Sequence, residues 1–456
     1  MQSNYIILQA NIVNEGMIQK GNIAIENAYI VDICFESYTD EFCRKYEGFI
    51  KIDAEGKFLF PGIIDDQVHF REPGLSYKGD IYTESKAAVA GGITSFMEMP
   101  NTNPQTLTQV LLEDKYSLAA EKSLANYSFY MGASNDNIGE VLKTNPHNVC
   151  GIKIFMGAST GNMLVDNPVT LEELFSKSKM LIALHCEDEK IIQQNIAIYK
   201  QKYGEEVPME AHPLIRSREA CLASSSFAVK LAKKHNTRIH ILHLSTAEET
   251  ELFDHSIPLN KKRITAEVCV HHLWFSDEDY NEKGTFIKWN PAIKTANDRD
   301  ALLAAVLSDK IDVIATDHAP HTLEEKQNNY FKAPSGGPLV QHSLVAMLDL
   351  YHQGKITMEK IVEKMCHHPA ILFGIEKRGY IRKGFHADLV LIDINNPWKV
   401  QKDNILYKCG WSPFENHTFL SKITHTFVNG NLVYYNGIFN ESTKGQRLLF
   451  NKLDNA

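Results

Sequence analysis

No apolar run in this 456-residue chain approaches the ~20 residues that cross a bilayer, so a membrane-spanning role is not expected. The eight cysteines, at 34, 43, 150, 186, 221, 269, 366 and 409, contain no C-x-x-C pair. That excludes a zinc ribbon and a thioredoxin-like motif, and scattered thiols in a chain this long fit a reducing, cytoplasmic setting. Basic residues are not in excess: the net charge is −9 and the pI about 6.1, which argues against a broad nucleic-acid surface. Internal repeats, low-complexity tracts and charge blocks are missing too. The opening stretch, MQSNYIILQANIVNEG, lacks a basic region followed by a long apolar core, so no secretory signal is expected.

The chain does have enough apolar residue, 44%, to bury a large core without disulfides. Its texture changes twice. Residues 1–57 read as short strands with Gly and Asn punctuation, for example YIILQANIV and GNIAIENAYIVDI. Residues 58–375 alternate apolar strand-like runs (GITSFMEMP, GIKIFMGAS, LIALHCED, RIHILHLS, IDVIATDHAP) with helical patterns such as YTESKAAVAGG and ALLAAVLSDK. Repeated strand and helix over about 300 residues favours a closed (β/α)8 TIM barrel. Residues 376–456 return to the β-rich texture (ADLVLIDI, KITHTFVNGNLVYYNG). The expected class is therefore α/β, a barrel with a small β domain built from both chain ends.

Each strand-like run ends in a residue able to do chemistry, and barrel enzymes assemble their sites at the C-terminal ends of their strands. His69, His185 and His243 close three runs and Asp317 a later one. One strand-end histidine is most simply structural. Three together with a carboxylate form a donor set suited to zinc or a related divalent ion. Water held by such an ion turns acidic near neutral pH, and Asp317 is placed to take its proton and return it to a leaving nitrogen; its bland alternative is a helix cap. His240 falls three residues before His243, so strand alternation assigns it to the other side as a structural residue. His271 and His272 stay ambiguous, and Glu187 is a candidate support for His185.

Lys153 admits two readings. A protonated lysine would be repelled by a cation and point elsewhere, whereas a desolvated one loses its proton and can be carboxylated by CO2 to a bridging carbamate. Arg71 and Asn101 are the specificity candidates. Arginine grips a carboxylate in a planar fork, and Arg71 lies two residues from His69 on the same alternating face. Asn101 sits in the Pro-flanked EMPNTNP loop. Surface exposure and turn formation are their respective alternatives.

PGIIDDQVHFREPG, MPNTNP and IDVIATDHAPHTLEEK, with LHCED, HLST, EVCVHHL and KWNPAIK between them, resemble the dihydroorotase family of the amidohydrolase superfamily over nearly the whole chain. The resemblance implies reversible, metal-dependent closure of N-carbamoyl-L-aspartate to L-dihydroorotate in pyrimidine biosynthesis. It assigns His69, Lys153, His185, His243 and Asp317 to the metals, with Asp317 also moving the proton. Arg71, Asn101, Asn290, His321, Ser335 and Gly336 fall to the substrate. It also favours the carboxylated form of Lys153. Gln67 departs from the pattern, because the family usually has histidine there as a ligand, and a neutral amide is the poorer zinc ligand. One zinc held by Lys153, His185 and His243 is then expected to be firm and a second labile. Hydantoinases and allantoinases, which open cyclic amides without a carboxylate clamp, are the alternative enzymes; a non-catalytic assembly partner is the alternative of another class. The expected partner is a small-molecule substrate, carbamoyl aspartate or dihydroorotate, and a homodimer is the candidate assembly. Residues 158–168 and 321–337 are the candidate closing loops.

Overall fold

The computed structural model describes residues 4–35, 39–157 and 163–451. Eight short parallel strands form the barrel, here β1 (Ile63–Val68), β2 (Ile93–Glu98), β3 (Asn126–Phe129), β4 (Ile152–Phe155), β5 (Ile182–His185), β6 (Ile239–Ile241), β7 (Ile264–Cys269) and β8 (Val313–Ala315). β1, β2 and β3 pair in that order, and β4 to β8 pair in sequence. The seam between β3 and β4 is made by Met131–Gly132, which continues the β3 chain and pairs with Ile152 and Lys153. Closure comes from a parallel bridge between Val68 and His318, with the His69 amide donating to the His318 carbonyl at 2.7 Å. Val, Ile, Leu and Phe dominate these strands because both faces are covered, one by helices and one by the barrel's own interior.

Capping residues set where the intervening helices begin. Asp80 and Thr83 form a capping box at Ile81–Ala90, Ser217 caps Arg218–His235, and Thr295 with Asp298 caps Ala296–Leu307. Asp80 follows the loop that leaves β1, whereas Ser217 and Thr295 follow longer excursions with helices of their own after β5 and β7, so that end of the barrel keeps the irregular backbone on which side chains can converge.

Both chain ends meet in one nine-stranded sheet. Phe58–Pro61 pairs antiparallel with Leu389–Asp393 and parallel with the first strand of the chain, Tyr5–Asn14. Residues 445–450 run back along the barrel, where Leu448 donates its amide to the Tyr127 carbonyl, and Leu448 and Phe450 pack with Met97 and Tyr130 in the lower core. Among the described residues no helix is long and apolar enough to cross a membrane.

Candidate active site

A cavity of about 280 Å³ opens at the C-terminal ends of the strands. Every candidate site residue lines it: His69, Lys153, His185, His243 and Asp317; Arg71, Asn101, Asn290, His321, Ser335 and Gly336; and Gln67. Residues spread over 270 positions meet here because they lie on or follow seven of the eight strands, β1, β2 and β4 to β8. Three of them have left-handed backbone, Arg71 (φ 71°), His243 (φ 39°) and Asp317 (φ 48°). Non-glycine residues pay about 1 kcal/mol or more to adopt that region. The turn is what swings each side chain from the strand direction toward the shared space.

The three histidines fall into one histidine pair, His185 with His243, and one histidine–carboxylate pair, His69 with Asp317. His185 Nε2 lies 3.0 Å from Glu187 Oε2, and Arg216 Nη1 donates to that same oxygen at 2.8 Å. A carboxylate on Nε2 keeps the proton there, so the Nδ1 lone pair faces outward. It faces His243 Nε2 at 3.0 Å. His69 donates from Nδ1 to Asn101 Oδ1 at 2.7 Å, which turns its Nε2 toward Asp317 Oδ1, 3.2 Å away. Electron-rich atoms facing each other at such distances are the spacing of ligands on one divalent cation. Burial holds the imidazoles of His69 and His185 below their usual range, and that of His243 well below it, so all three are neutral and ready to donate.

Lys153, on β4, is 1% exposed, and its Nζ has no hydrogen-bond partner among the described residues. Its nearest compensation is the face of Phe155, 4.5 Å from the ring centre. Burial lowers its pKa to about 7. A substantial fraction of such an amine carries a free lone pair at neutral pH, which the carbamate reading needs; the reading in which Lys153 points elsewhere does not fit its place in the cavity wall.

Arg71 is fixed by two contacts: Nε donates to the Pro320 carbonyl at 3.0 Å and Nη2 to His321 Nε2 at 2.9 Å. Burial lowers its pKa to about 10, which still leaves it charged at neutral pH. Asn101 spends its oxygen on His69, so what it offers a ligand is its amide nitrogen. Asn290 is the converse, since its Oδ1 is buried without a partner among the described residues. Gly336 closes the opposite wall at φ +122°, where an added Cβ would lie 2.6 Å from the Ala319 carbonyl oxygen. No other residue type fits there.

Alternation correctly gives His240 a structural place but puts it on the wrong side of the strand. His240 faces the barrel interior, because the left-handed turn at His243 breaks the register between them. Its Nε2 lies 3.2 Å from Asp66 Oδ2 and 3.7 Å from Glu267 Oε2, joining β1, β6 and β7 across the barrel beneath the cavity. These three residues place metal-ligand atoms within 4.8 Å of one another. Burial opposes a charge on His240, but the two carboxylates outweigh it and raise its pKa to about 9, so the imidazolium itself serves as the cation there. Strand periodicity misses Glu267 and Arg216, whose partners come from distant segments. His271 and His272 are settled by packing: His271 stacks on Trp289 at 4.3 Å, and His272 Nε2 reaches the Pro291 carbonyl at 3.2 Å.

Of the candidate closing loops, residues 158–162 lie outside the described residues. The stretch 321–337 is cross-braced. Lys326 Nζ donates to the carbonyls of Pro334 (2.9 Å) and Gly336 (2.7 Å), and Lys288 Nζ to those of Tyr330 (2.6 Å) and Ala333 (2.7 Å). These bonds tie the loop into the wall of the cavity.

The amidohydrolase family model matches residues 58–433. The dihydroorotase of Pyrococcus furiosus is 33% identical over 445 residues, covering 97% of this chain and 96% of that one. The dihydroorotase of a Wolbachia species is 31% identical, covering 91% of each. Among solved structures, the L-hydantoinase (dihydropyrimidinase) of Arthrobacter aurescens superposes with a TM-score of 0.91 at 26% identity, covering 98% of this chain and all of that one. The chain belongs to the amidohydrolase family and, within it, to the dihydroorotases.

Proposed function

We propose that the chain catalyses the reversible cyclisation of N-carbamoyl-L-aspartate to L-dihydroorotate in pyrimidine biosynthesis. One observation carries the substrate assignment: a buried arginine, locked by Pro320 and His321, shares the cavity with the paired histidines and Asp317. A cyclic amide without a carboxylate would leave that guanidinium unpaired in a desolvated wall, which is costly. Arg71 holds the carboxylate, and the Asn101 amide nitrogen supports it from the other side. Asn290, His321 and the backbone of Ser335 and Gly336 frame the ring.

The donor set fits zinc. Lys153, His185 and His243 would hold one ion firmly, with Lys153 as the carbamate formed when its neutral amine adds to CO2 and releases a proton. His69 and Asp317 would hold a second, more labile ion, because Gln67 supplies no imidazole. When bound, zinc supplies Lewis acidity to water and to the amide carbonyl. The chain's own residues do the rest. Asp317 has its Oδ1 engaged by Gln67 and His69, which leaves Oδ2 to take a proton from the attacking water and return it to the ring nitrogen in the hydrolytic direction.

The test is a comparative assay of dihydroorotate, hydantoin and allantoin. Dihydroorotate is expected to be the preferred substrate by orders of magnitude. Preference for hydantoin would move the chain to the activity named for its Arthrobacter structural neighbour, and no turnover of any of the three would support the assembly-partner alternative. Metal analysis after gentle purification should find one tightly held ion per chain; two would count against the labile second site.

A further inference from the structure

Gln67 stands where a ligand would be expected, yet its amide is already committed. The residue is 1% exposed. Its Nε2 lies 3.1 Å from Asp317 Oδ1. A carboxylate offers only acceptors, so the atom facing it has to be the amide nitrogen. At the other end, Gln67 Oε1 is 3.7 Å from the Cys269 thiol, which also lies 3.3 Å from Glu267 Oε1. The amide oxygen is thus turned toward the end of β7. Turning the amide over would set its oxygen against the Asp317 carboxylate and lose that contact, whereas the thiol sulfur, a weak acceptor, would be met equally well by either end of the amide.

The same stretch of β1 holds the Asp317 turn a second time, through the backbone. Thr316 Oγ1 donates to Asp65 Oδ2 at 2.6 Å, and the Thr316 amide reaches Asp65 Oδ1 at 3.3 Å. Thr316 Oγ1 also approaches the Gln67 carbonyl at 3.4 Å, and the Gln67 amide donates to Asp65 Oδ1 at 3.3 Å. A left-handed aspartate needs such bracing, since its backbone conformation is not one it adopts unaided.

We propose that Gln67 is a positioning residue for Asp317 and not a metal ligand: its Nε2–H pins Oδ1, and this fixes Oδ2 as the oxygen that carries the proton. The proposal rests on the dihydroorotase reading for its kinetic consequence but not for its ligand assignment. It also gives Gln67 a role of its own where the family pattern would place an imidazole. A histidine at 67 would supply a metal bond and no equivalent two-ended amide; the glutamine supplies orientation and leaves ion retention to the remaining donors.

The experiment compares wild type with Gln67→Met and Gln67→Glu. Metal content per chain is measured after desalting, the visible absorption spectrum is recorded for the cobalt-loaded proteins, and kcat and KM are measured on dihydroorotate. Gln67→Met removes the donor and keeps the bulk. It is expected to hold as much metal as wild type and to give a superimposable cobalt spectrum. Its kcat should fall roughly ten- to a hundred-fold, the usual effect of losing an outer hydrogen bond to a site residue, with KM unchanged. Gln67→Glu keeps the shape, guards against a folding failure of the first variant, and replaces the donor by an acceptor; it is expected to lose kcat as well. Loss of an ion or an altered cobalt spectrum in Gln67→Met would make Gln67 a ligand and overturn the proposal, as would wild-type kcat in either variant. Wild-type protein inert toward dihydroorotate would instead sink the substrate reading, with the spectra still deciding the place of Gln67.

Discussion

Lys153 is the side chain most at odds with its surroundings. An amine buried to 1% exposure, with no hydrogen-bond partner among the described residues, destabilises a fold unless it is neutral or modified. Lys153→Met should therefore stabilise the metal-free protein by about 1–3 kcal/mol, since a flexible apolar side chain of similar length removes the desolvation cost. The same change should abolish turnover and metal retention. Urea unfolding of the stripped variant, beside metal analysis of the loaded one, checks both halves; a destabilised, metal-retaining variant would contradict this account. Arg71→Lys makes the complementary test. It keeps the charge but loses the fork, and kcat/KM on dihydroorotate should drop about a hundred-fold, chiefly through KM. At this scale the sequence was informative about which residues gather and uninformative about their inner contacts. Asn101 reads as a substrate contact, but its oxygen belongs to His69. Nothing in EMPNTNP distinguishes the two atoms of an amide.

Among the structural elements, strand alternation works along β1 to β8 and fails one or two residues past their ends. Asp317 and His243 stand in left-handed turns, which no period-2 pattern anticipates. The trio of Asp66, His240 and Glu267 needs barrel closure before its members can meet. The loop 321–337 shows the same limit. Its Gly and polar composition suggests a mobile flap, whereas Lys288 and Lys326 stitch it to the cavity wall. Burial lowers the pKa of Lys288 to about 7 and that of Lys326 well below its usual value, so these lysines act as near-neutral donors to carbonyls. Lys326→Met would strip the Pro334 and Gly336 carbonyls of a donor at ~1–3 kcal/mol of local stability. KM for dihydroorotate should rise several-fold, and amide exchange over 327–337 should quicken while the barrel strands are unaffected. Unchanged exchange in that segment would mean that the loop is held by something else.

The molecule as a whole carries many buried imidazoles, and their signs govern its acid stability. His69, His185, His243, His271, His272 and His342 are all depressed, the last two to about 4 and about 3, with burial as the leading cause. In the unfolded chain these groups titrate near 6.5. Between that value and the lower folded values, the unfolded state binds protons that the folded state refuses. Stability is therefore full above about pH 6.5 and lost as pH falls through the window beneath it. His240 runs the other way, because its folded pKa of about 9 favours folding below 6.5 and loses that contribution as pH rises through 9. His212, His318, His321, His367, His386 and His425 are depressed likewise, so the depressed groups far outweigh the one raised group and the urea midpoint of metal-free protein should fall steadily from pH 6.5 to 4.5; a flat profile would mean that these rings are solvated.

Convergence of twelve residues on one cavity is what the whole account depends on, and one measurement addresses it directly. A crystal structure of the protein, purified without chelator and soaked with dihydroorotate, should show an anomalous cation peak among Lys153, His185 and His243, and its electron density should show an added group on the Lys153 amine and the ligand carboxylate on Arg71. A bare Lys153 with no peak between the histidine rings, or a ligand whose carboxylate faces away from Arg71, would contradict it.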